Sequence, residues 1–310
     1  MTVGLMRLAP YRTVLIAGPT ASGKSQMALD LAKRCGGVIV NADSMQIYSD
    51  LRLITARPSA ADEADVPHWL YGQVDGAAVF STGAWLRSVG KILPDLMAAF
   101  PTVIFVGGTG LYFTALTQGL SEIPETPAEV RQNLRDELAE LGPQALYARL
   151  AGDDPQMAQR LKPSDGQRII RALEVLQHTG RSLADWQATV SAPLVDMSSE
   201  TTKAIVLQPG RALANLNIAK RFKAMVEAGG LDEVKTLLER HLNPQLPVMK
   251  AIGVKQLGAY FQGEIDLGTA VELAIIASRQ YAKRQRTWFA GQMDERWLHV
   301  NSAETAALGL

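Results

Sequence analysis

The 310-residue sequence predicts an α/β fold with a mostly parallel sheet covered by helices. Three observations carry the expectation. Short apolar runs rich in β-branched residues recur at 14–17, 38–40, 103–106, 204–207 and 297–300. Helical patterns separate them at crossover spacing. The first run leads through a glycine-bearing turn into a helical pattern over 26–34. In open sheets of this kind, ligands gather where the strands end.

That first turn is the most specific motif in the chain. Gly18, Pro19, Thr20, Ala21, Ser22, Gly23, Lys24 and Ser25 form the pattern of two glycines enclosing four residues, followed by Lys and a hydroxyl residue. Backbone N–H groups on such a loop surround phosphate oxygens, Lys24 adds a point charge, and the Ser25 hydroxyl can reach a magnesium ion. Strand, loop and helix occur in the order the mechanism needs, so the core is expected to be P-loop NTPase-like. The loop recognises phosphates and leaves open the group attached to them.

After the second strand comes the polar cluster Asp43, Ser44, Met45 and Gln46. Asp43 can act as a base, bind magnesium or orient an amine; its structural alternative is to cap a turn. The strand over 103–106 ends in Gly107-Gly108-Thr109 with no acid, unlike many phosphate-loop nucleotidases. Thr109 offers a hydroxyl there, or a helix cap.

The strand signal then disappears. Residues 123–202 read as a helical insertion, with helices over 127–141 and 164–179 and a polar exit at 188–202. The expected division is a core of 1–122 and 203–310 with this insertion between. Arg168 and Arg171 are three apart and share a helix face that can grip RNA phosphates or form a salt-bridged surface. After the fourth strand, a helix over 213–228 closes at Gly229-Gly230, and Asp232 is expected to cap the next helix. Arg221 on the first of these can reach a pyrophosphate.

Bulk properties narrow the class. Cys35 is the only cysteine, which removes an internal disulfide or cysteine-ligated zinc site and favours a reducing, cytoplasmic setting. No apolar run approaches membrane-spanning length, so no membrane partner is expected. Net charge is zero, yet residues 120–200 carry 8 basic and 13 acidic side chains and residues 201–310 carry 14 and 10. This pattern neither demands nor excludes RNA. The four histidines are scattered without metal spacing.

The phosphate loop, Asp43-Ser44-Met45-Gln46-Ile47-Tyr48, Thr55-Ala56-Arg57-Pro58, Gly107-Gly108-Thr109-Gly110-Leu111-Tyr112, Arg168-Ile169-Ile170-Arg171-Ala172-Leu173-Glu174-Val175 and Gln280-Tyr281-Ala282-Lys283-Arg284-Gln285 stand in an order and spacing that resemble the tRNA dimethylallyltransferase family. The resemblance spans nearly the whole chain. It implies transfer of a dimethylallyl group from its diphosphate to the exocyclic amine of the adenosine 3′ of a tRNA anticodon, with Mg2+ on the donor. It further implies Asp43, Thr109 and Arg221 at the reaction centre and Ser44, Met45 and Gln46 on the entering nucleotide. Arg131, Gln167, Arg168, Ile169, Ile170, Arg171, Lys250, Gly253 and Lys255 would contact tRNA. Ser25 stands where the family commonly has Thr, and Arg57 where Lys is usual. A monomer is expected. Three other readings fit parts of the pattern: a small-molecule kinase, a prenyltransferase acting on free adenine nucleotides, and a non-catalytic RNA-binding module.

Overall fold

A computed structural model describes residues 11–301. Its sheet has six strands: β1 (Thr13–Ala17), β2 (Val38–Asn41), β3 (His68–Trp69), β4 (Val103–Gly107), β5 (Thr202–Leu207) and β6 (Trp297–Val300). The spatial order is β3-β2-β4-β1-β5-β6, and every pairing is parallel. The five strands expected from sequence all form. Only β3 escapes the apolar-run signal, since it has two residues and pairs with Ile39 and Val40 at the sheet edge. The chain leaves β1 toward β2 on one side and later returns to β5 on the other. Crevices open at the strand ends beside such a reversal.

Both faces of the sheet are buried, which is why its strands read as continuous apolar runs. Alternate residues supply two separate cores. Val14, Ile16, Ile39, Ile104, Val106 and Ile205 pack against Met27 and Leu31 of helix α1 (Lys24–Cys35). Leu15, Val40, Phe105 and Val206 face a larger core shared with Trp85, Phe113 and Phe222. Short α2 is Ala60–Asp65, and the others are α3 (Thr82–Ala99), α4 (Gly110–Gln118) and α9 (Arg211–Met225). The larger core also takes Val234 of α10 (Leu231–Glu239), Leu257 of α11 (Val254–Phe261) and Phe289 of α12 (Leu267–Gln292).

The described residues divide into two compact units, 11–117 with 194–301, and 118–193. The division differs from the 123–202 expected from sequence. Leu194 and Val195 both donate backbone hydrogen bonds to the Leu116 carbonyl, and Val195 is buried in the larger core. The polar exit therefore joins the sheet-bearing unit before β5 begins.

The second unit is helical: α5 (Ala128–Asp153), α6 (Pro155–Ala158), α7 (Gly166–Thr179) and α8 (Leu183–Gln187). Gly142 interrupts α5 with a positive φ of 78°, just past the point where the sequence pattern ended. Asp165 caps α7 through its side chain. Leu134, Leu146, Leu150, Ile169, Ile170 and Leu173 form this unit's own core.

Two local expectations are revised. Helix α9 runs on as a wide π-type turn over Val226–Gly230, with Gly229 at φ 108°, before α10. Asp232 lies in the first turn of α10 and is not its cap; no side chain caps that helix. Neighbouring Glu233 turns instead to the loop after β2, accepting from the backbone N–H groups of Arg52, Leu53 and Ile54. Among the described residues, no helix is long and apolar enough to cross a membrane.

Candidate active site

The ends of β1, β2 and β4 lie side by side and bring three sequence motifs together. After β1 the loop turns through Ala21, a non-glycine residue at φ 61°, and enters α1 at Lys24. No side chain caps α1, and its first turn holds no acid, so its positive end stays open to an anion. A cavity of about 410 Å³ lies over this end, lined by Ala21 to Gln26 and by Asn217, Lys220 and Arg221 of α9. Lys24 donates to the Pro19 carbonyl at 3.3 Å. Burial lowers its ammonium pKa to about 8; Asp43 opposes that shift and Arg221 adds to it.

After β2, Asn41 organises the backbone. Its Oδ1 accepts from Asp43 N at 2.8 Å, and its Nδ2 donates to the Asp43 and Leu70 carbonyls at 2.9 Å. Asp43 Oδ1 accepts from Met45 N at 3.0 Å. One carboxylate oxygen thus caps the turn, while Oδ2 has no hydrogen-bond partner among the described residues. The turn-capping role weighed from sequence occupies only one of the two oxygens.

The β4 end fits against this segment because Gly107 lacks a side chain: a Cβ there would overlap the Ala42 backbone. Thr109 N donates to Ala42 O at 3.2 Å, and Thr109 Oγ1 accepts from Ser44 N at 2.9 Å. Its hydroxyl therefore ties the Asp43 segment to β4 and does not cap α4. Thr109 is also not among the residues lining the neighbouring cavity.

That second cavity, of about 340 Å³, is lined by Asp43, Ser44 and Met45 on one side and by Ile54, Ile218, Phe222 and Met225 on another, with Tyr281 and Lys250 also present. Arg221 lines both cavities and donates to the Thr20 hydroxyl. Burial lowers its pKa while Asp43 holds it up. The arrangement offers an anion seat, a cation at the junction, and a free carboxylate oxygen in a partly apolar chamber. It suits departure of an anionic group and capture of a proton.

Gln46 is engaged differently from the expectation. Its amide donates to the Thr55 and Ala56 carbonyls at 2.9 and 2.8 Å, which leaves only its oxygen for a ligand. Lys250 and Lys255 are exposed. Gly253, at φ 105°, packs beside Ile54 and Phe222. In the helical unit Gln167 and Arg168 are exposed and Arg131 is half-buried. Arg168 pairs with Asp165 at 3.1 Å, and Arg171 with Glu174 at 3.2 Å. Ile169 and Ile170 are 0% and 3% exposed, so their side chains belong to the core and cannot touch RNA. They fall inside the α7 motif because an apolar pair must anchor the helix that displays its neighbours.

Sequence reasoning assigned no role to Gln285. It is buried on α12, accepts from Thr20 N and donates to Gly108 O, both at 2.8 Å. Its place in the last motif was visible, but its two partners are 265 and 177 residues away. Among the described residues, no group of three His, Cys, Asp or Glu side chains can hold a metal ion.

Comparisons with known proteins converge on one family. The IPP transferase family model matches residues 46–292, and the isopentenyl transferase model matches residues 11–68. A tRNA dimethylallyltransferase of Rhizobium johnstonii is 52% identical over 290 residues, covering 94% of this chain and 97% of that protein. The one from Mesorhizobium japonicum is 52% identical over 291 residues, covering 94% and 90%. Among solved structures, the tRNA isopentenylpyrophosphate transferase of Bacillus halodurans superposes with a TM-score of 0.64 at 31% identity, covering 93% of this chain and 89% of that one. A eukaryotic dimethylallyltransferase acting on tRNA superposes with a TM-score of 0.77 at 25% identity, covering 96% and 75%. With the phosphate loop, the Asp43 turn and the glycine-lined β4 end gathered at one crevice, and with relatives matched over nearly its full length, the chain belongs to the tRNA dimethylallyltransferase family.

Proposed function

We propose that the protein transfers a dimethylallyl group from dimethylallyl diphosphate to the exocyclic amine of the adenosine immediately 3′ of the anticodon in tRNA, releasing pyrophosphate. The observation that carries this reading is Arg221, which lies between the anion cavity over α1 and the chamber holding Asp43. A donor whose diphosphate occupies the first cavity would extend its apolar group into the second.

The open N-terminus of α1, Lys24 and Arg221 fit a diphosphate. The Ser25 hydroxyl, at the exposed start of α1, would join the donor oxygens in holding Mg2+, which supplies further neutralisation of the leaving charge. As the carbon–oxygen bond breaks, its electrons depart on pyrophosphate beside Lys24 and Arg221. The adenine amine is a weak nucleophile because its lone pair is delocalised into the ring. It forms the new carbon–nitrogen bond and loses a proton to Asp43 Oδ2. Asp43 orients the amine before the reaction through the same oxygen. The adenosine enters the chamber flipped from the anticodon loop, with Ser44 and Met45 at its entrance. Arg131, Gln167, Arg168, Arg171, Lys250 and Lys255 would hold flanking RNA by its phosphates and exposed bases.

Incubation with magnesium, dimethylallyl diphosphate and unmodified tRNA, followed by nucleoside mass spectrometry, tests the reading. The expected product is prenylated adenosine in an anticodon-loop fragment. Transfer only to free adenine nucleotides, or phosphoryl transfer from ATP with no prenylated RNA, would overturn it.

A further inference from the structure

The prenyl-transfer reading requires the donor carbon and the acceptor amine to meet at a set distance, yet the donor cradle and the acceptor side are built on different strands. Thr20 follows β1, Asp43 follows β2, and Gly108 and Thr109 follow β4. One buried side chain from none of these strands bonds to the segments after β1 and β4. Gln285, 6% exposed on α12, accepts from Thr20 N at 2.8 Å and donates to Gly108 O at 2.8 Å.

Each partner leads to a reacting group. Thr20 carries the hydroxyl that accepts from Arg221. Gly108 precedes Thr109, whose hydroxyl holds Ser44 N beside Asp43. A Cβ on Gly108 would run into the Gln285 amide and would stand 3.3 Å from Asp43 Oδ2, so that amide and the free carboxylate oxygen flank the same point. The bond to Thr20 also has a consequence for the phosphate loop. It engages an N–H that would otherwise be available to a phosphate and leaves the cradle to the amides at the start of α1.

We propose that Gln285 is a positioning residue that fixes the spacing between the diphosphate cradle and the Asp43 carboxylate. The proposal rests on the prenyl-transfer reading. The task needs one donor and one acceptor on a single neutral group at this reach, and the glutamine amide provides both. Glutamate keeps the acceptor, lacks the donor toward Gly108, and brings a charge beside Asp43. Methionine keeps length and volume but makes neither bond.

The test compares wild type with Gln285→Met in single-turnover prenyl transfer at saturating dimethylallyl diphosphate and tRNA, alongside separate binding constants for inorganic pyrophosphate and tRNA. A displacement of about 1 Å between reacting groups costs roughly a hundredfold in rate. The expected result is therefore a fall of that order in the saturated rate, with both binding constants within about threefold of wild type. An unchanged saturated rate would overturn the proposal, as would a rate loss matched by lost pyrophosphate affinity, which would make Gln285 a brace for the loop alone. If Gln285→Met does not fold, Gln285→Asn keeps an amide too short to span both partners and is expected to show the same split. In ligand-free wild type, the Thr20 amide hydrogen must be protected from exchange; free exchange there would also sink the idea. Absence of prenyl transfer by wild type in this assay would instead refute the parent reading.

Discussion

At the residue scale, the site divides labour between atoms of single side chains. Asp43 holds its own turn with Oδ1, and Oδ2 has no hydrogen-bond partner among the described residues. Replacing it with alanine should lower the saturated transfer rate by roughly 10²–10⁴-fold, the range for loss of a general base. Affinity for tRNA should change far less; parallel losses in rate and affinity would move Asp43 from chemistry to binding. Lys24 gives a pH prediction with two opposite signs. Its folded pKa of about 8 lies below the ordinary 10.5, so between these values the unfolded chain binds more protons than the folded one. Lys24 therefore makes the ligand-free protein more stable as pH rises through that window. Donor capture needs the charged ammonium, so kcat/KM for dimethylallyl diphosphate should fall above pH 8, approaching tenfold per pH unit. Melting temperatures and donor kinetics in one buffer series check both, and a flat kinetic profile would refute the role given to Lys24.

At the element scale, α7 presents two arginines that its spacing made look equivalent, and packing separates them. Arg168 is exposed, and its partner Asp165 is at the surface turn, so removing it leaves no buried charge behind. Arg168→Ala should weaken tRNA binding and lower the salt slope by about 0.7–0.9, the contribution of one phosphate contact. Arg171 pairs with Glu174, whose side chain is only 8% exposed. Arg171→Ala should also destabilise the helical unit, by about 1–3 kcal/mol for a buried polar group left unpaired. Salt titrations of RNA binding and urea melts distinguish the variants; equal stability losses would contradict this division. The same logic applies to α10, where Glu233 holds the 52–54 backbone whose Ile54 forms a wall of the cavity beside Asp43.

At the scale of the whole molecule, two units with separate cores should unfold with separate signatures. Leu150 is fully buried among the helices of residues 118–193. Leu150→Ala should cost that unit about 2–5 kcal/mol, the usual range for this truncation. Faster hydrogen exchange is expected across residues 118–193, with the strands of the sheet still protected. Uniform acceleration through both units would mean that they unfold as one.

The sequence by itself determined five of the six strands, the phosphate loop and the helical character of the insertion, because each rests on local periodicity or on a turn within a few residues. It also supplied Asp43, Thr109 and Arg221 as candidates. Tertiary structure decided what they touch. Thr109 secures Ser44, the Gln46 amide holds carbonyls of its own loop, and Ile169 and Ile170 face a core. The unit boundary moved to residue 193 because Leu194 and Val195 bond back to Leu116, a contact with no local signature. Gln285 is the clearest case. Its chemistry, one donor and one acceptor, was legible in the residue type, but the partners that give it meaning meet only when three strand ends and a distant helix pack together.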